Sequence, residues 1–174
     1  MNKLTSIICF CLVFLFIASC ERPDLTSDIE RAYDYASCIT IDGNMWSPKA
    51  SSTMNWDDAV SYCNNLTECD YWDWHLPTIS ELRTLIQNCS GTVTGGSCGV
   101  TDSCLSSLSC WSEESCHSCS YDESGGYSKL GDTGWFWSSS VLSDLSNFAW
   151  SVYFDDGYVS YYHKYEGTYV RCVR

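Results

Sequence analysis

Cysteine constrains the folding of this chain more than any other residue type. The 174 residues contain 13 Cys, a density typical of exported proteins, because cytosolic thiols are kept reduced and form no lasting cross-links. Cys9 and Cys11 lie in an apolar N-terminal run and Cys20 follows it, which leaves ten cysteines in the rest of the chain. An even number is expected if every cysteine pairs, so we predict five disulfides. The ten are Cys38, Cys63, Cys69, Cys89, Cys98, Cys104, Cys110, Cys116, Cys119 and Cys172.

The segment from Cys89 to Cys119 holds six of these ten cysteines, together with many glycines and serines. It has neither helical nor strand periodicity, so we predict a disulfide-stapled loop over residues 89–119. Within it, Cys116-His117-Ser118-Cys119 has the C-x-x-C spacing of zinc and redox sites. A zinc site also needs a second ligand pair and reduced thiols, and a redox motif needs a strand before it and a helix after it. Neither context is present in the sequence, so structural disulfides are favoured and no metal or cofactor is predicted.

The N-terminus has the organisation of an export signal. Lys3 precedes an apolar run over residues 7–18, which is shorter than the roughly 20 residues of a membrane-spanning helix and is typical of a signal peptide. The run ends in Ile17-Ala18-Ser19-Cys20, which resembles a bacterial lipobox. Residues 1–19 are therefore predicted to be removed and Cys20 to be acylated. The alternative is an ordinary secretory signal followed by an incidental cysteine.

Acylation of Cys20 would anchor the protein in a membrane, because two or more acyl chains give stable attachment. Glu21 follows the cysteine, and resemblance to lipoprotein sorting signals of Gram-negative cells favours an outer-membrane lipoprotein, with surface exposure left open. Residues 20–37 are rich in acidic side chains and poor in apolar ones. They are predicted to form an acylated tether, in which residues 25–35 could make a short helix.

The charge of the chain excludes several classes of partner. It has 22 Asp and Glu against 9 Lys and Arg, a formal net charge of -13. Nucleic acid, heparin-like polymers and anionic lipid surfaces are normally bound by a basic face. We therefore predict no nucleic-acid partner and favour a protein or a neutral glycan. Acidic pairs such as Asp155-Asp156 supply only part of the roughly six to eight oxygens of a calcium shell and are interpreted as solvated turn residues.

Catalysis has little support in the sequence. The histidines His75, His117 and His163 lie in no nucleophile motif. The patterns of serine hydrolases, zinc metalloproteases and phosphate-binding loops are absent from the sequence. We therefore expect a protein that is not an enzyme.

Two helices are predicted in the first half of the domain. Asn55 can cap a helix whose apolar residues recur at helical spacing. Thr78 and Glu81 form a T-x-x-E capping box for a second helix. The predicted apolar faces are Trp56, Ala59, Val60, Cys63 and Leu66 in the first helix, and Ile79, Leu82, Leu85 and Ile86 in the second.

Strands are predicted before and after these helices. Residues 38–46 read as a hairpin around Asp42-Gly43, a pair that favours tight hairpin turns. In the last third of the chain the apolar period changes to two, which is typical of strands. One strand is predicted to begin within residues 134–137. Three further strands are predicted over residues 149–154, 158–162 and 168–173. Two helices on an antiparallel sheet make one α+β domain over residues 38–174.

Five segments of this domain, in the same order along the chain, resemble the C-terminal domain of the Legionella collagen-like protein and the related Fibrobacter succinogenes major paralogous domain. They are Asn55-Trp56-Asp57-Asp58-Ala59 with Tyr62-Cys63, Trp74-His75-Leu76-Pro77-Thr78-Ile79-Ser80-Glu81-Leu82, Trp137-Ser138-Ser139-Ser140, Ala149-Trp150 with Val152, Phe154 and Gly157, and Val170-Arg171-Cys172-Val173-Arg174. The resemblance implies a C-type-lectin-like fold, two helices on a twisted antiparallel sheet. It also implies a disulfide between Cys63 and Cys172. If the six cysteines of the stapled loop pair among themselves, Cys38 is left to pair with Cys69.

The residues between Ser140 and Val170 that lie outside these segments are largely Tyr, Ser, Asp and Asn. This composition is typical of antibody-like binding surfaces, in which Tyr gives rigid contact area. Strand alternation places Ser151 and Tyr153 opposite the face of Trp150. The predicted ligand contacts are Asp144, Asn147, Ser151, Tyr153, Tyr158, Ser160, Tyr162 and Lys164.

These predicted contacts favour a membrane-anchored recognition or adhesion module. Two alternatives stay open at the level of the sequence. Tyr and Ser also suit exposed strands that bind nothing, and the protein would then be a structural lipoprotein of the cell envelope. The same residue types are also produced when a diversity-generating retroelement varies the C-terminal repeat of a lectin-like target protein.

Overall fold

The computed structural model describes residues 38–117 and 119–174. The predicted signal peptide, the acylation site Cys20 and the tether of residues 20–37 lie outside these described residues. In chain order, the elements of the described part are β1 (Ile39–Ile41), β2 (Asn44–Trp46), α1 (Trp56–Asn64), α2 (Ile79–Arg83), α3 (Glu113–Cys116), β3 (Trp135–Val141), β4 (Phe148–Tyr153) and β5 (Tyr158–His163). The predicted α+β class is confirmed.

The predicted N-terminal hairpin is formed by β1 and β2, which pair antiparallel. Its turn has a left-handed backbone, with φ of 50° at Asp42 and 88° at Gly43, and these residue types tolerate that conformation. Trp46 at the end of β2 forms a bridge with Val173, and His75 bridges the same residue. The start of the domain is therefore joined to its end.

The predicted last strand over residues 168–173 is wrong. The segment makes isolated bridges instead, and the pairs are Thr168 with Met54, Tyr169 with Phe136, and Val173 with Trp46 and His75. Its backbone changes partner every few residues, so no single strand runs alongside it. The segment crosses between the N-terminal hairpin and the C-terminal sheet.

The first predicted helix is confirmed as α1. The Asn55 side chain accepts a hydrogen bond of 2.9 Å from the Asp58 amide, which satisfies one of the free amides at the helix start. Ala59 and Cys63 are fully buried, as expected for one apolar face. The helix ends before Leu66, which is partly buried beyond it.

The second predicted helix is confirmed as α2 and begins with the capping box of Thr78 and Glu81. The helix is shorter than its apolar pattern, because it ends at Arg83. Leu85 and Ile86 are buried in the turn that follows. The predicted residues are therefore in the core, although the last two are not helical.

Arg83 ties the end of α2 to the stapled loop. Its buried guanidinium donates a hydrogen bond of 2.9 Å to the carbonyl of Thr92 and another of 2.9 Å to that of Val93. A third goes to the carbonyl of Val100. Burial lowers the pKa of Arg83, and the three carbonyls offset the cost of removing this charged group from water.

The C-terminal sheet has the strand order β3-β4-β5 and is antiparallel throughout. Because side chains alternate along each strand, the sheet has two faces of different composition. The inner face is fully buried against the α2 residues Ile79 and Leu82. Its side chains include Phe136, Trp150, Val152 and Val159. On the outer face, Trp137 and Ala149 cluster with Ala59 and Cys63 of α1, and the partly buried Tyr162 packs against the same cluster.

Five disulfides connect the ten cysteines of the domain, as predicted. Cys63–Cys172 joins α1 to the C-terminal segment and Cys38–Cys69 joins the first residue of the domain to the loop after α1. The six cysteines of the stapled loop pair among themselves in a nested order. The pairs are Cys89–Cys119, Cys98–Cys116 and Cys104–Cys110.

This arrangement of few helices, antiparallel sheets and five disulfides is compatible with a C-type-lectin-like fold. Among the helices in the described part of the chain, none has both the length and the apolar character needed to span a bilayer.

Candidate binding surface

Four aromatic side chains lie together on the outer face of the C-terminal sheet, and we call them the aromatic surface. They are Trp135 on β3, Tyr153 on β4, and Tyr158 and Tyr162 on β5. The register places Trp135 opposite Tyr153, and Tyr153 opposite Tyr158. All four are partly exposed.

Trp135 lies at the centre of the aromatic surface. Its ring centroid is 4.8 Å from that of Tyr153, with 21° between the ring planes, and 4.8 Å from that of Tyr162. Tyr158 is 5.9 Å away. Offset and tilted ring pairs at these distances stabilise one another, so the four rings form a continuous and ordered platform.

Ser151 and Ser160 form a cross-strand pair beneath this platform. Tyr153 and Tyr162 lie on either side of the pair, and the Trp135 ring spans the distance between these two tyrosines. Ser151 lies between Trp137 on β3 and Ser160 on β5 and is fully buried, although it lies on the predicted face. This corrects the prediction of Ser151 as a ligand contact, because the side chain has no exposed surface. Ser160 is partly exposed.

Tyr121 extends the aromatic surface at the end where β4 turns into β5. It is 59% exposed, and its ring is stacked 6.4 Å from that of Tyr153. The hydrogen bond to the Asp155 carboxylate, together with partial burial, raises the pKa of Tyr153. Tyr153 therefore stays protonated and uncharged across the physiological pH range.

The stapled loop supports the same end of the surface through α3. Glu113 Oε2 accepts a hydrogen bond of 2.9 Å from the Tyr158 hydroxyl. The His117 ring stacks on the Tyr158 ring at 4.4 Å. Trp111 lies 6.4 Å from Tyr158, and its indole donates a hydrogen bond of 2.8 Å to the carbonyl of Val159. The Cys-rich loop is thus packed against β5.

Two further predicted contacts, Asn147 and Lys164, lie together but not among the four rings. The Lys164 ammonium lies 4.1 Å above the Trp56 ring, and the Asn147 amide is 3.0 Å from His163 Nε2. Both line a cleft of about 510 Å³ beside the aromatic surface. Its other lining residues are Asn55, Asp57, Asp58, His163 and Tyr165.

Asp144, also a predicted contact, organises the stapled loop. Its carboxylate accepts hydrogen bonds from the hydroxyls of Ser106 and Ser107 at 3.0 and 2.9 Å, and from the amides of Ser107 and Leu108. Partial desolvation opposes ionisation, but these bonds outweigh it and lower the pKa of Asp144 to about 2. The carboxylate is exposed, yet it already accepts four hydrogen bonds from the loop that the Cys104–Cys110 disulfide closes. We call this closed loop the Cys104–Cys110 ring.

A cluster with possible metal ligands occurs within residues 38–117 and 119–174. Ligand atoms of Cys38, Glu68 and Cys69 lie within 4.8 Å of one another. The two sulfurs form a disulfide and offer no thiolates to a metal ion.

Sequence reasoning missed Trp135 and Tyr121 as members of the surface. Trp135 was assigned only to the start of a strand, because its neighbours Phe136 and Trp137 are also aromatic and only the register shows which ring points outward. Tyr121 follows the last cysteine of the stapled loop, and no local pattern places it next to β4.

A family model described as the Lcl C-terminal domain matches residues 40–174. The match covers most of the chain and confirms the resemblance seen in the sequence, so the chain belongs to the Lcl C-terminal domain family. This membership indicates a surface-associated domain and is consistent with a surface or envelope protein. A search of curated proteins gives no match.

Proposed function

We propose that this protein is a non-catalytic recognition module of the cell envelope that binds a protein or a neutral glycan through its aromatic surface. The observation that carries the proposal is the set of four partly exposed rings on the outer face of the C-terminal sheet, with Trp135 in contact with the other three. Exposed Trp and Tyr clusters are the most frequent energetic centres of binding interfaces.

The rigidity of the scaffold supports this proposal. The strands that carry the aromatic surface have their other face locked in the core, where Trp150 and Val152 are fully buried. α3 is held by the Cys98–Cys116 disulfide and in turn contacts Tyr158. Rings that are ordered before a ligand arrives lose little conformational entropy on binding.

The charges around the surface favour ligands without negative charge. Glu113 lies at the Tyr158 hydroxyl, and Asp155 and Asp156 follow β4. With a formal net charge of -13 for the chain, a sulfated or phosphorylated polymer would be repelled. A neutral glycan or a protein segment without net negative charge would meet no such repulsion.

The proposal includes a lipid anchor on Cys20 at the outer membrane, supported by the lipobox-like Ile17-Ala18-Ser19-Cys20 and by Glu21. Mass spectrometry of the mature N-terminus is expected to find acyl chains on Cys20. A mature N-terminus at another residue, without lipid, would contradict the anchor. The proposed binding surface would not be affected by that result, because it is tested separately.

The binding proposal is tested with a glycan array and with a pull-down from the surfaces of neighbouring cells. Trp135→Ala is expected to weaken retention of the captured ligand by about tenfold or more, as for an aromatic hot spot. Trp72→Ala is the matched control, because Trp72 is 78% exposed and lies in the loop after α1. Equal loss in both variants, or full retention by Trp135→Ala, would contradict the proposal. Absence of any ligand would favour a structural role.

A further inference from the structure

His117 lies between the stapled loop and the turn that joins β4 to β5. Its Nδ1 is 2.9 Å from Glu113 Oε1 on the preceding turn of α3. Its Nε2 is 3.0 Å from Asp156 Oδ2 in the β4–β5 turn. One imidazole thus bridges two carboxylates that belong to two different parts of the chain.

The same three residues hold Tyr158, one of the four rings of the aromatic surface. The Tyr158 hydroxyl donates to Glu113 Oε2, and its backbone amide donates a hydrogen bond of 3.0 Å to Asp156 Oδ1. The His117 ring stacks on the tyrosine ring with 28° between the planes. Tyr158 is therefore fixed at its hydroxyl, its backbone and its ring face by a single connected group.

This group needs a proton on the imidazole. A protonated histidine donates from both ring nitrogens, whereas a neutral one donates from only one and presents a lone pair at the other. Loss of the proton would leave that lone pair facing either Glu113 or Asp156. One of the two links would then break, and the imidazole would no longer join α3 to the β4–β5 turn beside Tyr158.

The two carboxylates that face His117 favour the proton. The hydrogen bond that His117 donates to Glu113 raises the pKa of His117, partial burial opposes this rise, and Asp156 adds to it. Burial raises the pKa of Asp156, and Asp155 contributes in the same direction. The remaining facing group is Tyr158, whose own pKa is raised by burial, so the tyrosine carries no charge where His117 titrates.

We propose that His117 and Glu113 are positioning residues for Tyr158, and that loss of the proton from His117 in alkaline solution weakens ligand binding at the aromatic surface. This inference rests on the proposed function for its effect on binding. Its structural part, the dependence of the Tyr158 position on the His117 proton, can be measured without a ligand.

The direction of the pH dependence follows from the raised pKa of His117. Below the ordinary histidine value of 6.5 the bridge is complete, and its contribution is fully present. The contribution is lost as the pH rises through the higher pKa of the folded protein. Affinity is therefore expected to be constant in mildly acidic solution and to fall above neutrality by about fivefold, the effect of one hydrogen bond.

The ligand-free test is an NMR titration from about pH 5 to pH 9 that follows the His117 Cε1 resonance and the Tyr158 ring resonances. Both are expected to change with one common midpoint. In His117→Gln, which keeps a hydrogen-bonding side chain but cannot titrate, the Tyr158 transition is expected to vanish. In Glu113→Gln the His117 midpoint is expected to move to lower pH. Tyr158 resonances that stay constant in the wild type, or titrate equally in His117→Gln, would overturn the positioning role.

His75→Gln is the matched control. His75 also pairs with a glutamate, with Nε2 3.2 Å from Glu81 Oε2, and that pair raises its pKa as well. His75 precedes α2 and bridges Val173 in the C-terminal segment, whereas His117 stacks on Tyr158 itself, so the Tyr158 titration is expected to be unchanged in His75→Gln. A changed midpoint in this variant would show a general effect of charge and would overturn the specific role of His117.

The binding arm repeats the affinity measurement at pH 6 and pH 9, using the glycan or protein captured by the wild type at neutral pH. The fivefold fall is expected in the wild type and in His75→Gln, but not in His117→Gln. If the Tyr158 resonances titrate but the wild-type affinity stays constant, the proposal that the His117 proton affects ligand binding would be overturned. If nothing is captured, the proposed function fails, and the NMR titration still decides whether His117 positions Tyr158.

Discussion

The two faces of the C-terminal sheet are made by the same three strands and both carry tryptophan, yet the tryptophans lie in different environments. Trp150 on the inner face is fully buried, and its indole donates a hydrogen bond of 3.2 Å to the carbonyl of Leu105. Trp135 on the outer face is partly exposed and packs against the rings of Tyr153 and Tyr162. The comparison shows that aromatic content by itself does not indicate function. The register and the covering elements decide which rings are core and which are surface.

On the outer face, α1 separates buried side chains from partly exposed ones. It covers Trp137 and Ala149, and the helix is clamped to the C-terminal segment by Cys63–Cys172. Beyond the helix the outer face opens at Trp135 and Tyr162. The clamp therefore stabilises the fold and also limits how much of the face is free for a ligand.

The largest effect is expected from removing that clamp. In Cys63→Ser with Cys172→Ser, the lost cross-link spans 109 residues and is expected to reduce the free energy of unfolding by about 4 to 5 kcal/mol in the chain-entropy model. The control pair Cys104→Ser with Cys110→Ser spans 6 residues and is expected to cost about 2 kcal/mol. Urea denaturation of both variants measures this. Equal losses would show that strain or local packing, and not loop closure, governs the disulfides.

A tryptophan on each face gives the next largest contrast. Trp150→Ala is expected to lower the free energy of unfolding by about 3 to 5 kcal/mol, because it opens a cavity in the core. Trp135→Ala is expected to lower it by only about 1 kcal/mol, the scale of lost ring contacts. Thermal or urea denaturation compares the two. If Trp135→Ala were as destabilising as Trp150→Ala, the outer face would be a second core and not a binding surface.

The smallest effect on binding is expected at Asp144. Asp144→Asn weakens the hydrogen bonds that hold the Cys104–Cys110 ring, so hydrogen exchange in that ring is expected to accelerate while affinity for a captured ligand stays the same. Because the pKa of Asp144 is lowered to about 2, the wild-type ring is expected to keep its protection until the pH falls towards that value. Loss of binding with unchanged exchange would instead make Asp144 a direct ligand contact.

Local patterns predicted α1, α2 and the two hairpins of this domain, but not the four-residue helix α3 inside the stapled loop. The cap at Asn55, the capping box at Thr78 and the turn at Asp42 depend on residues within a few positions of one another, so the sequence shows them directly. The family resemblance supplied Cys63–Cys172, which no local pattern could have indicated.

Long-range contacts account for what the sequence did not show. α2 ends early where Arg83 bonds to the carbonyl of Thr92 in the stapled loop. Ser151 is buried in the central strand, where its register partners are Trp137 on β3 and Ser160 on β5. Strand alternation predicts which side chains share the outer face, but only the packing of side chains shows which of them are exposed.

The central claim, that the outer face of the C-terminal sheet is the binding surface, is tested most directly by NMR mapping of side-chain ring resonances during titration with a captured ligand. The account predicts that the rings of Trp135, Tyr153 and Tyr162 shift together and saturate at one ligand concentration, while the ring of Trp72 does not shift. Unchanged resonances in the aromatic surface, with shifts confined to the stapled loop around Leu108, would contradict it.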